Sequence, residues 1–378
     1  MENIVNSILS QWLEIEYYAT ANRAKFINRE VRPNELLIYQ SIRYLDYLTS
    51  MRADTYKNHV ITIIALMWEL VDKEQYDLKN FILKMLSRIG YSTSATIIDK
   101  DFFQSGNKFF QPSSIFDFFI VPLEQSKYEI EIGGQTFLLT DFQKDIWEKL
   151  DSSKVAGISA PTSAGKSFVL LLKTISRVIK ENLDVVYIVP TLSLLNQVTT
   201  DYSKMLKQLG ISNVRIENSV APSVHPECST IFVITQEKAL VAFSDEDDFF
   251  QRKLILVVDE IQNIERTQDP NDLRAKILFD ILIEFREKTP VEQIIISGPR
   301  VDGIDKLGER LFGDTTVSLS TFVSPVLNLT YSISKEKQTY YFNQYCSLVP
   351  DKFSRVIENP SYIAEYGKKL TQMSTWSI

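Results

Sequence analysis

Val155-Ala156-Gly157-Ile158-Ser159-Ala160-Pro161-Thr162-Ser163-Ala164-Gly165-Lys166-Ser167 decides the fold. It opens with a short apolar run, continues through a loop of small residues, and leads into a helical pattern from Lys166 to Lys180. Val169, Leu172, Ile175, Val178 and Ile179 fall on one side of that pattern. Strand, small-residue loop and helix together make the phosphate-loop pattern, with Ala160 where the strict form has its first glycine. Thr162, Ser163, Ala164 and Gly165 are small enough for successive backbone N–H groups to curl around phosphates. The helix N-terminus beyond adds free N–H groups and a positive dipole end. Lys166 then reaches for the β- and γ-phosphates, and the Ser167 hydroxyl is a candidate magnesium ligand. Gly-Lys-Ser alone is common by chance; the flanking strand and helix give it meaning.

The same alternation continues downstream. Val185–Val189, Ile231–Thr235, Leu254–Val258 and Ile294–Ser297 are β-branched and nearly all apolar, Val214–Glu217 alternates, and helical patterns lie between them. Strands apolar on both faces and separated by helices predict a parallel sheet covered on both sides, hence an α/β P-loop domain over residues 126–330. Ninety-three residues after Lys166, the run Leu254–Val258 ends in Asp259-Glu260-Ile261-Gln262. Two carboxylates at the C-terminal end of a buried strand face the crevice where such sheets bind ligands. Asp259 is the candidate magnesium ligand, usually through water, and Glu260 the candidate to polarise an attacking water. Asp-Glu after a strand is commonly just a helix N-terminus; the phosphate loop upstream singles this pair out.

The first 125 residues read as an all-α accessory domain. Ile4, Ile8, Trp12 and Ile15 step by three and four. Leu36, Leu37, Tyr39, Ile42, Tyr44, Leu45 and Leu48 follow Pro33, and His59–Val71 and Tyr76–Ile89 supply two more helices. Residues 101–125 crowd Phe102, Phe103, Phe109, Phe110, Phe116, Phe118 and Phe119 around Pro112 and Pro122. They are expected to form a linker whose aromatics pin the helical region onto the α/β domain. With Lys108 alone interleaved, a base-stacking platform lacks its charge.

Composition narrows the class further. The 378 residues are 44% hydrophobic and 24% charged, which excludes disorder, collagen-like repetition and a disulfide-stapled miniprotein. Two cysteines, Cys228 and Cys346, without zinc-type spacing point to a reducing, cytoplasmic setting. A net charge of −7 speaks against coating nucleic acid by bulk charge but is compatible with a local basic groove. No targeting segment is visible, and Val60–Trp68, the most apolar stretch, is about half of the ~20 residues that a membrane span needs. No membrane partner is expected. His59 and His225 have no metal or nucleophile partners in view, and Asp245-Glu246-Asp247-Asp248 reads as a solvated loop rather than a calcium site.

With their neighbours, the two motifs resemble superfamily-two DExH-box helicases of the superkiller-type (Ski-like) branch. Ala-Pro-Thr-Ser-Ala-Gly-Lys-Ser is close to that branch's phosphate loop, and Asp259-Glu260-Ile261-Gln262 resembles its DExH/Q box. Upstream, Phe137, Leu139, Phe142 and Gln143 resemble its adenine-reading element, in which the aromatic packs near the base and the glutamine bonds the adenine edge. Val189-Pro190-Thr191-Leu192 through Gln197 is similar to motif Ia, and Val233 to Lys238, with Thr235, to motif Ic. Both grip nucleic-acid phosphates in that family. Ser297-Gly298-Pro299 sits where the family has Ser-Ala-Thr; Ser297 is kept and Pro299 replaces the final hydroxyl. Gln262 and Ser297 are thus the candidates for coupling hydrolysis to movement. Gly303 to Gly313 resembles the following helix, and Phe322-Val323-Ser324-Pro325-Val326 the exit strand.

The resemblance covers residues 130–330 and implies a first RecA-like domain. Its cofactors would be ATP and magnesium, and its partner a single nucleic-acid strand, DNA or RNA. The helical N-terminal domain implies a protein partner, and such extensions occur in anti-phage defence helicases. Residues 331–378 are expected to be a linker or the truncated start of a second RecA-like domain. That second domain would supply the arginine finger, so the chain is expected to be incomplete. A non-motor nucleotide-binding switch or scaffold is the main rival reading, favoured by Pro299. An ATPase of another P-loop family is the third.

Overall fold

The computed structural model describes residues 2–23, 28, 31–51, 54–73, 76–94, 114–219, 228–244, 250, 252–268, 273–299, 301–321, 323, 326–328, 331–334, 339–342, 354–356 and 375–377. The chain packs as two units, Met1–Tyr128 with Val323–Ile378, and Glu129–Phe322.

In the first unit, α1 (Glu2–Arg23), α2 (Glu35–Met51), α3 (Lys57–Leu70), α4 (Leu78–Arg88) and α5 (Ile115–Ser126) build one apolar core. The buried face of α1 is broader than the predicted stripe and centred differently: Val5, Leu9 and Leu13 join Ile8 and Trp12 inside, and Ile4 is exposed. On α2 it is Leu37, Ile38 and Leu45 that face inward, while Leu36 and Tyr39 are exposed. Asn34 rather than Pro33 starts this helix, its Oδ1 accepting from the Leu37 N–H at 2.8 Å. The buried Trp12 indole donates to Ser41 Oγ at 2.8 Å, the partner that a buried indole requires.

Residues 115–126, expected to be linker, are instead a helix. The Ser114 hydroxyl caps it by accepting from the Asp117 N–H at 3.2 Å. A Lys84–Asp117 ion pair at 2.8 Å and a Gln125–Ser87 hydrogen bond at 3.1 Å tie it to α4. Phe116, Phe118 and Phe119 are exposed on it, so they pin nothing in this unit; Phe102, Phe103, Phe109 and Phe110 lie outside the described residues. Further on, Val326–Asn328 pairs antiparallel with Thr375–Ser377. Tyr331–Ser334, Thr339–Phe342 and Ser354–Val356 form a three-stranded antiparallel sheet.

The second unit opens with a hairpin, β1 (Glu129–Ile132) and β2 (Gln135–Leu138), which leads into α6 (Asp141–Lys149). Next come β3 (Val155–Ser159), α7 (Lys166–Glu181), β4 (Asp184–Val189), α8 (Leu192–Gln208), β5 (Val214–Glu217), β6 (Ser229–Thr235) and α9 (Gln236–Ser244). The series ends with β7 (Leu254–Val258), α10 (Leu273–Lys288), β8 (Val291–Gly298), α11 (Ile304–Phe312) and β9 (Thr316–Ser320). Seven strands form one parallel sheet in the order β5-β6-β4-β7-β8-β3-β9.

Alternate strand residues feed two apolar layers, which is why these strands are apolar throughout. Val185, Tyr187 and Val189 of β4 pack with α6, α7 and α8, while Val186 and Ile188 pack with α9, α10 and α11. The fold is therefore the α/β P-loop architecture that the sequence predicts, together with an N-terminal all-helical region. Two details differ. Ile179 is exposed on α7, because the buried stripe through Leu172, Ile175 and Val178 runs beside it. The strand flanking β3 is Thr316–Ser320, which as a half-exposed edge strand carries too little apolar pattern to be seen in the sequence; Phe322, Ser324 and Pro325 of the expected exit strand lie outside the described residues.

Candidate active site

β8 lies between β3 and β7, so the phosphate loop, Ser297 and Asp259 leave neighbouring strand ends on one edge of the sheet. The loop starts at Ala160, whose N–H donates to Gly298 O at 3.2 Å. Ala160 does not have a positive φ, so this position tolerates a side chain. One tight turn, Thr162–Ala164, leads to Gly165 at φ 71° and ψ 30°, and α7 begins at Lys166. A Cβ on Gly165 would collide with Gln143 Nε2. Lys166 is buried, and its Nζ donates to Ala160 O at 2.5 Å and Pro161 O at 3.1 Å. Burial pushes the ammonium below its ordinary pKa, opposed by the charges of Asp259 and Glu260.

Gln143 is held from both ends of its amide. Oε1 accepts from Thr140 N at 2.9 Å while Thr140 Oγ1 accepts from Gln143 N at 3.3 Å, a reciprocal cap of α6. Nε2 donates to Gly165 O at 3.0 Å. Phe142 is half-buried beside it against the core. Thr162 and Ser167 are exposed and Ser163 half-buried, whereas Ala164 is buried.

The acidic side is equally constrained. Asp259 Oδ1 accepts from Ser297 Oγ at 2.6 Å and from the Glu260 N–H at 3.0 Å, and Oδ2 accepts from the Tyr187 hydroxyl at 3.2 Å. Glu260 sits in the left-handed region at φ 57°, a conformation costing a non-glycine residue about 1–2 kcal/mol. Asn263 secures that turn: its N–H and Nδ2 both donate to Glu260 O, at 3.1 and 2.9 Å. Gln262 Nε2 donates to Glu260 Oε2. A Cβ on Gly298 would lie 2.6 Å from Gln262 Oε1, so glycine after Ser297 gives the Gln262 side chain its room.

Pro190, Thr191 and Thr235 leave the paired ends of β4 and β6, where Val189 is in register with Thr235. They share the sheet edge with the phosphate loop, Pro190 and Thr191 three strands and roughly 14 Å from β3 and Thr235 four strands and roughly 19 Å from it, at ~4.8 Å per strand. Thr191 Oγ1 caps α8 by accepting from Leu194 N at 3.2 Å. Thr235 is buried, and Gln197 is exposed on α8. Gln197 lines a cavity of about 530 Å³ together with Gly165, Ser167, Tyr187 and Tyr202.

Sequence reasoning missed Tyr187 and Asn263. Asn263 gave no signal. Tyr187 gave one, as the only residue with a hydroxyl inside the otherwise aliphatic run from Val185 to Val189. Burial, then the nearby Asp259 charge, holds its pKa well above the usual tyrosine value.

Residues 140–295 match the family model described as DEAD/DEAH box helicase. No curated protein matches the chain. Among solved structures it is similar to the DUF1998 helicase MrfA bound to DNA, with 14% identity, 49% of this chain and 27% of that one covered, and a TM-score of 0.39. It is also similar to the UvsW helicase from bacteriophage T4, with 17% identity, 60% of this chain and 77% of that one covered, and a TM-score of 0.33. No helix among the described residues is long and apolar enough to cross a membrane. The seven-stranded sheet with its phosphate loop and carboxylate pair is a helicase-like P-loop domain.

Proposed function

We propose that this chain binds ATP with magnesium and hydrolyses it to drive movement along, or separation of, nucleic-acid strands, as a DExH-type module of the superkiller-type branch. The observation that carries this reading is the grouping at one sheet edge: Lys166 and Ser167 follow β3, and Asp259, bonded to Ser297 and to the Glu260 N–H, follows β7 two strands away. The Ser167 hydroxyl and the Asp259 carboxylate are hard oxygen donors on the same sheet edge: Ser167 lines one cavity with Tyr187, whose hydroxyl donates to Asp259 Oδ2. That set suits magnesium, which takes one or two protein oxygens and completes its shell with water and phosphate. When bound, the ion supplies charge neutralisation on the phosphates.

The protein's own part follows from its contacts. Lys166 exchanges the carbonyls of Ala160 and Pro161 for phosphate oxygens. Glu260, oriented by Gln262 and by its left-handed turn, takes the proton of the attacking water. Gln143 retains one amide hydrogen and one lone pair for the adenine edge, beside Phe142. Pro190, Thr191, Gln197 and Thr235 mark the half of the edge that would hold nucleic-acid phosphates, and the helical unit would meet a protein partner. We carry a cytoplasmic, anti-phage setting forward on the resemblance alone.

ATP hydrolysis by the chain, measured with and without single-stranded DNA and RNA, tests this. One of the two nucleic acids is expected to stimulate turnover, and Lys166→Ala to abolish nucleotide binding. A chain that binds ATP but ignores both nucleic acids would favour the switch reading, and unchanged affinity in Lys166→Ala would remove the phosphate-loop assignment.

A further inference from the structure

We propose that Asn263 is a positioning residue for Glu260: by holding the Glu260 carbonyl it keeps that residue in its left-handed turn and so sets the direction of its carboxylate. This rests on the hydrolytic reading above and adds a residue to it. Among the described residues three non-glycine positions have a positive φ, Asp77, Asn182 and Glu260. Aspartate and asparagine enter that region readily because a short polar side chain bonds locally; glutamate does not. A strained backbone of this kind persists only where its surroundings over-determine it.

The surroundings of Glu260 do so from both sides. Its N–H donates to Asp259 Oδ1 at 3.0 Å. Its carbonyl oxygen has two lone pairs and accepts from two donors of Asn263, the N–H at 3.1 Å and Nδ2 at 2.9 Å. The first of these is the bond that any residue would supply at the start of the 3-10 helix Ile261–Gln268. The second belongs to the asparagine side chain, which is half-buried. With the peptide groups on both sides of the Cα tied, φ and ψ are set, and with them the direction of the Cα–Cβ bond. Gln262 Nε2 then holds the far end by donating to Glu260 Oε2. Asn263 meets Glu260 through these two bonds to its backbone carbonyl, so its influence on hydrolysis runs through where Glu260 points.

Asn263→Ala removes the side-chain bond and keeps the backbone one. In the full chain it is expected to lower kcat for ATP about tenfold, part of the ~10²–10⁴ that a placed base contributes, with KM and the calorimetric affinity for ADP unchanged. Asn263→Ser returns a donor within reach of a carbonyl three residues back and is expected to recover most of the rate. In a Glu260→Gln background Asn263→Ala is expected to slow turnover no further, because the carboxylate that it aims is gone. A fall by the same factor in both backgrounds, a loss of ADP affinity alongside the rate, or a serine variant no faster than alanine makes the role merely structural and overturns the inference. A second readout needs no nucleotide. Glycine relaxes a left-handed turn, so the urea midpoint of Glu260→Gly relative to its parent is expected to lie higher with Asn263 present than in Asn263→Ala; equal shifts also overturn the inference. Slow turnover in Glu260→Gln beside a wild-type rate in Asn263→Ala removes the role of Asn263 alone. A wild-type rate in Glu260→Gln, or a wild-type chain without turnover, removes the hydrolytic reading of Glu260, and this inference with it.

Discussion

Replacing Gly165 with alanine adds one carbon where the loop has least room. At φ 71° a left-handed alanine costs about 1–2 kcal/mol relative to a relaxed backbone. The new Cβ also collides with Gln143 Nε2, so the amide must swing away and give up its 3.0 Å bond to Gly165 O. A bond of that kind contributes about 0.5–1.5 kcal/mol. The sum is roughly 2–3 kcal/mol, which for a folding unit of this size lowers Tm by about 4–12 °C. Gln143→Ala removes the same bond and half of the α6 cap, at about 0.5–2 kcal/mol. In the double variant the collision has vanished and only the left-handed backbone remains strained. The double variant is therefore expected to be more stable than additivity predicts, by about 1 kcal/mol. Urea and thermal unfolding of the four proteins measure this directly. Additivity within about 0.3–0.5 kcal/mol would refute the contact between Gln143 and the loop.

Three further outcomes are expected. Ser297→Ala deprives Asp259 Oδ1 of its 2.6 Å donor and lowers the stability of the sheet unit by about 1.5–3 kcal/mol; an unchanged urea midpoint would count against that bond. Glu260→Gln is expected to retain ATP affinity while slowing turnover by about 10²–10⁴-fold, and a variant turning over at the wild-type rate would strip Glu260 of its role. In the helical unit, burial holds the Glu16 carboxyl above its ordinary 4.5, offset in part by Thr20 and Arg23. The native state then keeps a proton that the unfolded chain has released, so stability falls as pH rises from 4.5 through the native value. Glu16→Gln removes that slope, and the Tm of the variant relative to wild type is expected to climb over the same interval. A constant difference from about pH 4 to about pH 8 would refute it.

The parallel sheet was legible because apolar layers on both faces leave the central strands no polar positions, a pattern that few other arrangements produce. The phosphate loop and Asp259-Glu260 were legible for a different reason: their chemistry needs particular side chains at strand ends. Thr316–Ser320 was not, since an edge strand has one half-exposed face and only Val317 and Leu319 as apolar content. The β1–β2 hairpin was also missed, although Glu129-Ile130-Glu131-Ile132 alternates and Gly133-Gly134 is a turn dipeptide. The exact stripe on α1 and α2 depends on neighbours that one helix cannot reveal. Contacts such as Asn263 with the Glu260 carbonyl, or Gly298 with Gln262, arise from tertiary approach and leave no mark in local pattern.

The strand order has a consequence for synthesis of the chain. Among the described residues, β3 pairs with the late-made β8 and β9 and with no earlier segment. The loop above it is anchored by Gly298 O, by the Val301 N–H reaching Ser159 Oγ across 142 residues, and by the Thr321 N–H on Ser159 O. At a translation speed of ~5–20 residues per second, those anchors are made roughly 7–30 s after Lys166. Throughout that interval the nascent chain holds the phosphate motif without its shape. A ribosome-bound chain stalled after Gln262 would already carry both the Lys166 loop and the carboxylate pair, yet have no assembled pocket to offer a nucleotide.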